Sequence, residues 1–132
     1  MNANAVAAIF LKPGLECSQP VARGMLYACT GEENPNLTLL YEGEIAGRGA
    51  GRVSGVDARV FRRGPGDFEV ASLPFLGLLA TQLKYSGADR EKAYKFLNSN
   101  LDSKRAAITI GAAEWTITTS RDRKVLAVAA AD

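Results

Sequence analysis

The apolar and polar positions of this chain follow a period of two in both halves, separated by a stretch with a helical period. Met25–Thr30 and 37–45 are short, partly alternating segments that predict strands, with a polar turn between them. The alternation is clearest from Val56 to Phe61, where valine and alanine share one face and charged residues with Phe61 share the other. Glycine and proline punctuate these segments, which is typical of antiparallel structure.

Two further strands are predicted in the first half. The apolar run Ala5–Leu11 ends at a Pro-Gly pair, and its branched and aromatic residues favour a strand, although its alanines would tolerate a helix. Residues 12–24 are expected to be irregular. After Val56–Phe61, the glycine- and proline-rich residues 62–67 predict a tight turn that leads into another strand at Phe68–Ser72.

The helical period begins after this hairpin. Four apolar residues at i, i+3, i+4 and i+7 predict an amphipathic helix that begins near Pro74 and ends by Gly87; these residues are Leu76, Leu79, Ala80 and Leu83. A second helix is predicted from Asp89, which can act as its N-cap, to Leu101. Period two then returns and predicts a three-stranded meander at 108–110, 115–119 and 125–130.

This order of elements predicts an α+β fold. Residues 1–132 are expected to form a single domain with a mostly antiparallel sheet. Its N-terminal strands, central hairpin and C-terminal meander would have two helices between the strand runs, packed on one face. The pattern argues against a repeated parallel βαβ unit and therefore against a Rossmann-type nucleotide fold.

The composition narrows the chemistry that is open to the chain. It contains no histidine, which removes Ser-His-Asp and Cys-His nucleophile arrangements and the usual histidine-containing metal sites. The spacing of Cys17 and Cys29 matches no zinc pattern, and both are expected to be unpaired thiols. We therefore predict a protein that is not an enzyme, with no metal and no cofactor.

The expected location is the cytoplasm or a virion. The longest apolar run, Ala5–Leu11, is too short for a membrane span, so no membrane partner is predicted. No basic residue precedes Lys12, which argues against a signal peptide.

Charge is distributed unevenly along the chain. Residues 1–46 carry two basic and five acidic residues, whereas the remainder carries fourteen basic and nine acidic residues. Several cations fall in predicted turns and glycine-rich segments, where guanidinium groups can hold phosphates. The predicted binding set for a polyanion or a neighbouring subunit is Arg48, Arg52, Arg62, Arg63, Arg121, Arg123 and Lys124. The alternative interpretation is that these are ordinary solvated turns.

Three functional hypotheses follow. The first is a non-catalytic structural protein that assembles with copies of itself, such as a virion, tail or sheath subunit. It would use the glycine- and arginine-rich loops and the strand edges expected at Ala5–Leu11 and Val125–Ala130. The second is a small nucleic-acid-binding module that uses the basic turns. The third is an enzyme that uses a cofactor or the carboxylates Glu42 and Glu44.

Overall fold

The computed structural model describes residues 1–19, 24–31, 39–47, 52–62 and 68–130. Within these ranges the chain forms three helices and seven strands. In chain order they are α1 (Ala3–Leu11), β1 (Glu16–Ser18), β2 (Met25–Thr30), β3 (Leu39–Gly47), β4 (Val53–Arg62), α2 (Phe68–Gln82), α3 (Arg90–Ser99), β5 (Arg105–Ile110), β6 (Ala113–Thr119) and β7 (Arg123–Ala130).

The strands form one sheet in the order β1-β2-β3-β4-β7-β6-β5, and every neighbouring pair is antiparallel. The sheet therefore consists of two meanders, β1–β4 and β5–β7, joined where β4 pairs with β7. Val56 lies opposite Val128 at this junction. The predicted α+β class and antiparallel sheet are confirmed, with three helices where two were expected.

All three helices contact the same face of the sheet. The Phe10 ring of α1 lies directly over the backbone of Gly43 in β3. Phe75 of α2 stacks on Tyr41 of the same strand, with ring centroids 4.5 Å apart. Leu101, just after α3, accepts a hydrogen bond from Lys124 of β7. The apolar core lies between this face and the helices, and the other face, which we call the uncovered face, carries the alternate side chains of each strand.

The N-terminal run is a helix, so the strand predicted at Ala5–Leu11 is wrong. Asn2 caps α1: its backbone is extended, and its side-chain oxygen accepts from the Ala5 amide at 3.1 Å. Alanine at four of the nine helical positions supplies strong intrinsic helix preference. The stretch expected to be irregular also contains the short strand β1.

The strand predicted at Phe68–Ser72 is wrong as well, because these residues begin α2. An alternating segment of five residues is too short to separate a period of two from a helical period. The helix also continues through Pro74, where we expected it to begin. At 15 residues α2 is the longest described helix, and no helix in the described part of the chain is long and apolar enough to cross a membrane.

Cys17 and Cys29 form a disulfide between β1 and β2, which corrects the expectation of unpaired thiols. They lie directly opposite each other in the sheet register, twelve residues apart in the chain. A cross-strand neighbour of this kind depends on a strand, β1, that the sequence pattern did not predict. The bond fixes the outermost three-residue strand to the rest of the sheet.

Replacing Gly43 by alanine is expected to destabilise the fold by about 1–3 kcal/mol, because an added Cβ would lie 2.7 Å from the ring of Phe10. This ring is buried against Phe75 and cannot move aside freely. Gly55 provides the matched control, since a Cβ there would lie no closer than 3.6 Å to Val128. Urea unfolding of the two variants measures the difference. Equal stability of Gly43→Ala and Gly55→Ala would contradict the packing of α1 on β3.

Replacing both cysteines by serine is expected to lower the free energy of unfolding by about 2–3 kcal/mol, as the chain-entropy model gives for a loop of this length. Urea unfolding of the oxidised protein and the Cys17→Ser/Cys29→Ser variant measures the change. Thiol titration in denaturant is the control and should find no free thiol in the oxidised protein. Two reactive thiols per chain would contradict the pairing.

Candidate functional site

The two edges of the sheet differ in how they are protected. On one side the sheet ends at β1, which has only three residues and is tied to β2 by the disulfide. Short edge strands are a common protection against pairing with other chains. On the other side it ends at β5, which has six residues and no further described strand beside it. We call this side the β5 edge.

The hydrogen-bond pattern shows which residues of β5 direct their backbone outward. The Thr119 amide donates to the Lys104 carbonyl at 3.1 Å, in the register that places Arg105 opposite Thr118. In an antiparallel ladder, hydrogen-bonded pairs alternate with pairs that are not bonded to each other. Arg105, Ala107 and Thr109 therefore direct their N–H and C=O groups away from β6, toward the free side.

The side chains of the same three residues lie on the uncovered face. Arg105, Ala107 and Thr109 are exposed, whereas the residues between them turn toward the helices. The side chains of Ala107 and Thr109 are small, so they leave the outward backbone groups accessible. The β5 edge thus combines backbone donors and acceptors that point away from β6, with no partner among the described strands, with one cation, Arg105, among its three outward residues.

Tyr85 holds the far end of β5 in place. Its hydroxyl donates to the Ile110 carbonyl at 2.8 Å and accepts from Trp115 Nε1 at 2.7 Å. Burial raises the pKa of the Tyr85 hydroxyl, so it stays protonated and able to donate. Trp115 is fully buried. This contact fixes the end of an edge strand that has a described sheet neighbour on one side only.

A group of cations lies along the end of the sheet at which β5 begins. The Arg62 amide donates to the Asp122 carbonyl at 2.8 Å, which brings the end of β4 to the turn between β6 and β7. Phe61 lies opposite Arg123 in the next row of the sheet. We call this group the basic rim, and it consists of Arg62, Lys104, Arg105, Arg121 and Arg123. Asp102 and Asp122 lie in the same turns and reduce its net charge.

The basic rim contains part of the set predicted from the sequence. Arg62, Arg121 and Arg123 come together, while Arg52 precedes β4 and lies at the opposite end of that strand, roughly 30 Å away. Arg48 and Arg63 lie outside the described residues. Lys104 and Arg105 were not in the predicted set, because only the sheet order places the beginning of β5 beside the β6–β7 turn.

Lys124 differs from the expectation of an exposed turn residue. It is fully buried on the helix side of β7, and its ammonium donates to the Leu101 carbonyl. The same carbonyl accepts from the Thr119 hydroxyl at 3.1 Å. Alternation along β7 turns Lys124 inward while Arg123 stays exposed. Lys124 therefore anchors the end of α3 beneath the basic rim.

The uncovered face carries an ion-paired group made of Glu44, Asp57 and Arg59. Arg59 binds Glu44 at 2.6 Å and Asp57 at 3.0 Å, with all three side chains half-buried. Burial raises the pKa of Asp57, with the Arg59 charge acting in the opposite direction. The hydrogen bond that Arg59 donates to Glu44 raises the pKa of Arg59. Arg59 therefore partly neutralises carboxylates that would otherwise repel each other across β3 and β4.

These carboxylates do not form a metal site. Among residues 1–19, 24–31, 39–47, 52–62 and 68–130, no group of three or more histidine, cysteine, aspartate or glutamate side chains is placed to hold a metal ion. Glu42 and Glu44, named for the enzyme hypothesis, lie on the uncovered face of β3. Glu44 is ion-paired with Arg59 there.

Comparison with protein-family models, with curated proteins and with solved structures gave no match for this chain.

Proposed function

We propose that the chain is a non-catalytic protein that associates with a second copy of itself through the β5 edge. The observation that carries the proposal is the contrast between the two sheet edges: β1 is short and tied down, whereas β5 offers three outward-facing backbone positions at alternate residues. An open edge of this kind pairs readily with another strand. A second copy brings an identical edge of the same length.

The outward residues define the register of this pairing. If Ala107 lies opposite Ala107 of the second copy in an antiparallel arrangement, Arg105 lies opposite Thr109. All three outward positions are then in hydrogen-bonded pairs, and each such pair exchanges two bonds. The arrangement has two-fold symmetry and joins two seven-stranded sheets into one. It also keeps the helices of both copies on the same side.

Charge complementarity supports the same register. Glu114 lies opposite Thr109 in β6, and both are exposed on the uncovered face. In the proposed pair, Arg105 of one copy and Glu114 of the other share a row, with Thr109 between them. Their Cα atoms are about 10 Å apart, from the usual spacings of paired strands. Arginine and glutamate side chains span this distance, so each dimer has two such ion pairs.

Two-fold pairing covers the β5 edge of both copies, so assembly through this edge stops at a dimer. A larger assembly would need additional surfaces, such as the basic rims, which antiparallel pairing places at opposite ends of the joined sheet. The virion, tail or sheath setting expected from the sequence stays a prediction.

Charge reversal tests the pairing and its register together. Arg105→Glu should raise the Kd of the dimer roughly tenfold, because two attractions become two repulsions. Adding Glu114→Arg in the same chain should restore most of the affinity. Sedimentation velocity over a wide concentration range measures the equilibrium between the 14.0 kDa chain and its dimer.

Two further variants serve as controls. Lys92→Glu makes the same reversal at an exposed position of α3 and should leave the Kd unchanged. Ala107→Pro removes the central outward N–H and should abolish dimerisation, while leaving the bonds to β6 in place. Circular dichroism confirms that each variant is folded. A monomer at every concentration, or a dimer indifferent to Arg105→Glu and Ala107→Pro, would contradict the proposal.

The basic rim favours a second candidate function, the binding of nucleic acid. Four of its five cations are exposed, and the fifth, Arg62, is half-buried. A cluster of this kind at one end of a sheet can neutralise successive phosphates. In the paired form Arg105 is engaged with Glu114, and Lys104, Arg121 and Arg123 remain exposed.

Nucleic-acid binding by the basic rim should weaken steeply with salt, since each neutralised phosphate releases counterions. Arg121→Gln should reduce the slope of log K against log salt concentration by about one. Arg52→Gln, an equally exposed arginine at the other end of β4, should leave the slope unchanged. Fluorescence anisotropy with labelled single-stranded DNA measures both. Equal effects of the two variants, or no binding at low salt, would contradict this candidate.

A further inference from the structure

A cleft of about 360 Å³ lies between α1, the end of α2 and the beginning of α3. It is at the end of the sheet opposite the basic rim. The carbonyl of Met1, a lining residue, accepts a hydrogen bond from the Val53 amide at the start of β4. Tyr85, which follows the lining residue Lys84, donates a hydrogen bond to the carbonyl of Ile110 at the end of β5. The cleft therefore lies away from the basic rim, and its described lining includes no residue of β5, so an inference about it does not rest on the proposed self-association.

The floor of the cleft is apolar. Val6 and Ile9 of α1 and Leu83 after α2 form its buried part, each less than 7% exposed. Ala5 and Ala8 lie on the accessible side of α1, and their small side chains leave the space open. A volume of this size is within the range of small-molecule sites in proteins, about 300–1,000 Å³.

The mouth of the cleft is positively charged. Lys12, Lys84 and Arg90 line it from three different segments, and all three are exposed. The described lining contains no carboxylate. The nearest acidic residues in the chain have other partners: Asp89 caps α3 through the Lys92 amide, and Glu91 pairs with Lys95.

A hydrogen bond crosses the mouth and links α1 to α2. Lys12 Nζ donates to Gln82 Oε1 at 3.4 Å, which is a long contact between two exposed side chains. An ionised acceptor binds an ammonium more strongly than a neutral amide oxygen does. An anion placed at the mouth would therefore compete favourably with Gln82 for Lys12, and it would also face Lys84 and Arg90.

We infer that this cleft binds a small amphiphilic carboxylate, a molecule with an apolar body and one anionic end. The body would lie against Val6, Ile9 and Leu83, and the carboxylate would face the three cations. Burial of the apolar body provides affinity, and the charge at the mouth fixes the orientation of the ligand.

Isothermal titration calorimetry with four probes tests the inference. Decanoate should bind with one site per chain, whereas decanol, decyltrimethylammonium and acetate should each bind at least tenfold more weakly. Decanol lacks the charge, decyltrimethylammonium reverses it, and acetate lacks the apolar body. Tight binding of decyltrimethylammonium or decanol would show that the cations take no part, and equal binding of acetate would show a simple anion site.

Variants locate the binding site. Lys84→Gln/Arg90→Gln should weaken decanoate binding about tenfold, and Ala5→Phe should block it by filling the cleft. Ala8→Leu fills the same space with a smaller side chain in case the first replacement disturbs α1. Lys92→Gln, on α3 but outside the cleft, should bind decanoate like the unmodified protein. Unchanged binding in the filled variants would overturn the inference, and sedimentation of the same samples reports self-association separately.

Discussion

The pairing of β4 with β7 is the interaction on which the rest of this structure depends. It joins residues about seventy positions apart and merges two local meanders into one sheet. Val56, Ala58 and Val60 from β4, with Leu126 and Val128 from β7, are essentially inaccessible and form the centre of the core. Because β7 lies inside the sheet, β5 becomes the outer strand. The same pairing brings Arg62 to the β6–β7 turn and so creates the basic rim.

The sequence predicts most of the individual strands and helices, but it does not predict the order of the strands, which depends on this long-range pairing. Regular alternation identified β4, β6 and β7, and the cap at Asp89 placed α3 within a residue of its start. Val125–Ala130 was expected to be an edge, and that expectation is wrong because strand order carries no local signal. α1 and the start of α2 were misassigned because short apolar runs fit both periods. Of the candidate site, the arginines of the turns were predictable, whereas Lys104 and Arg105 required the fold.

The disulfide and the β5 edge are two aspects of one asymmetry. Edge strands must be protected or used. At β1 the chain combines minimal length with a covalent bond between Cys17 and Cys29, and the strand cannot easily detach or extend. β5 is rigid instead, because the hydrogen bonds of Tyr85 with Ile110 and Trp115 hold the end of the strand in a fixed geometry. A rigid open edge loses little conformational entropy when another strand adds to it, which favours pairing.

The character of the uncovered face explains why association through an edge is better supported than stacking of two sheets. One row of this face runs Ala28, Glu44, Asp57, Ala127, Thr116 and Ala107 across six strands. The three alanines and the threonine of this row offer little apolar area to bury. Covering the row would also remove solvent from the Arg59 ion pairs, which are only half-buried, and desolvation of paired charges costs more than their attraction returns unless the geometry is excellent. Edge pairing leaves this face in water and uses backbone groups that have no partner among the described strands.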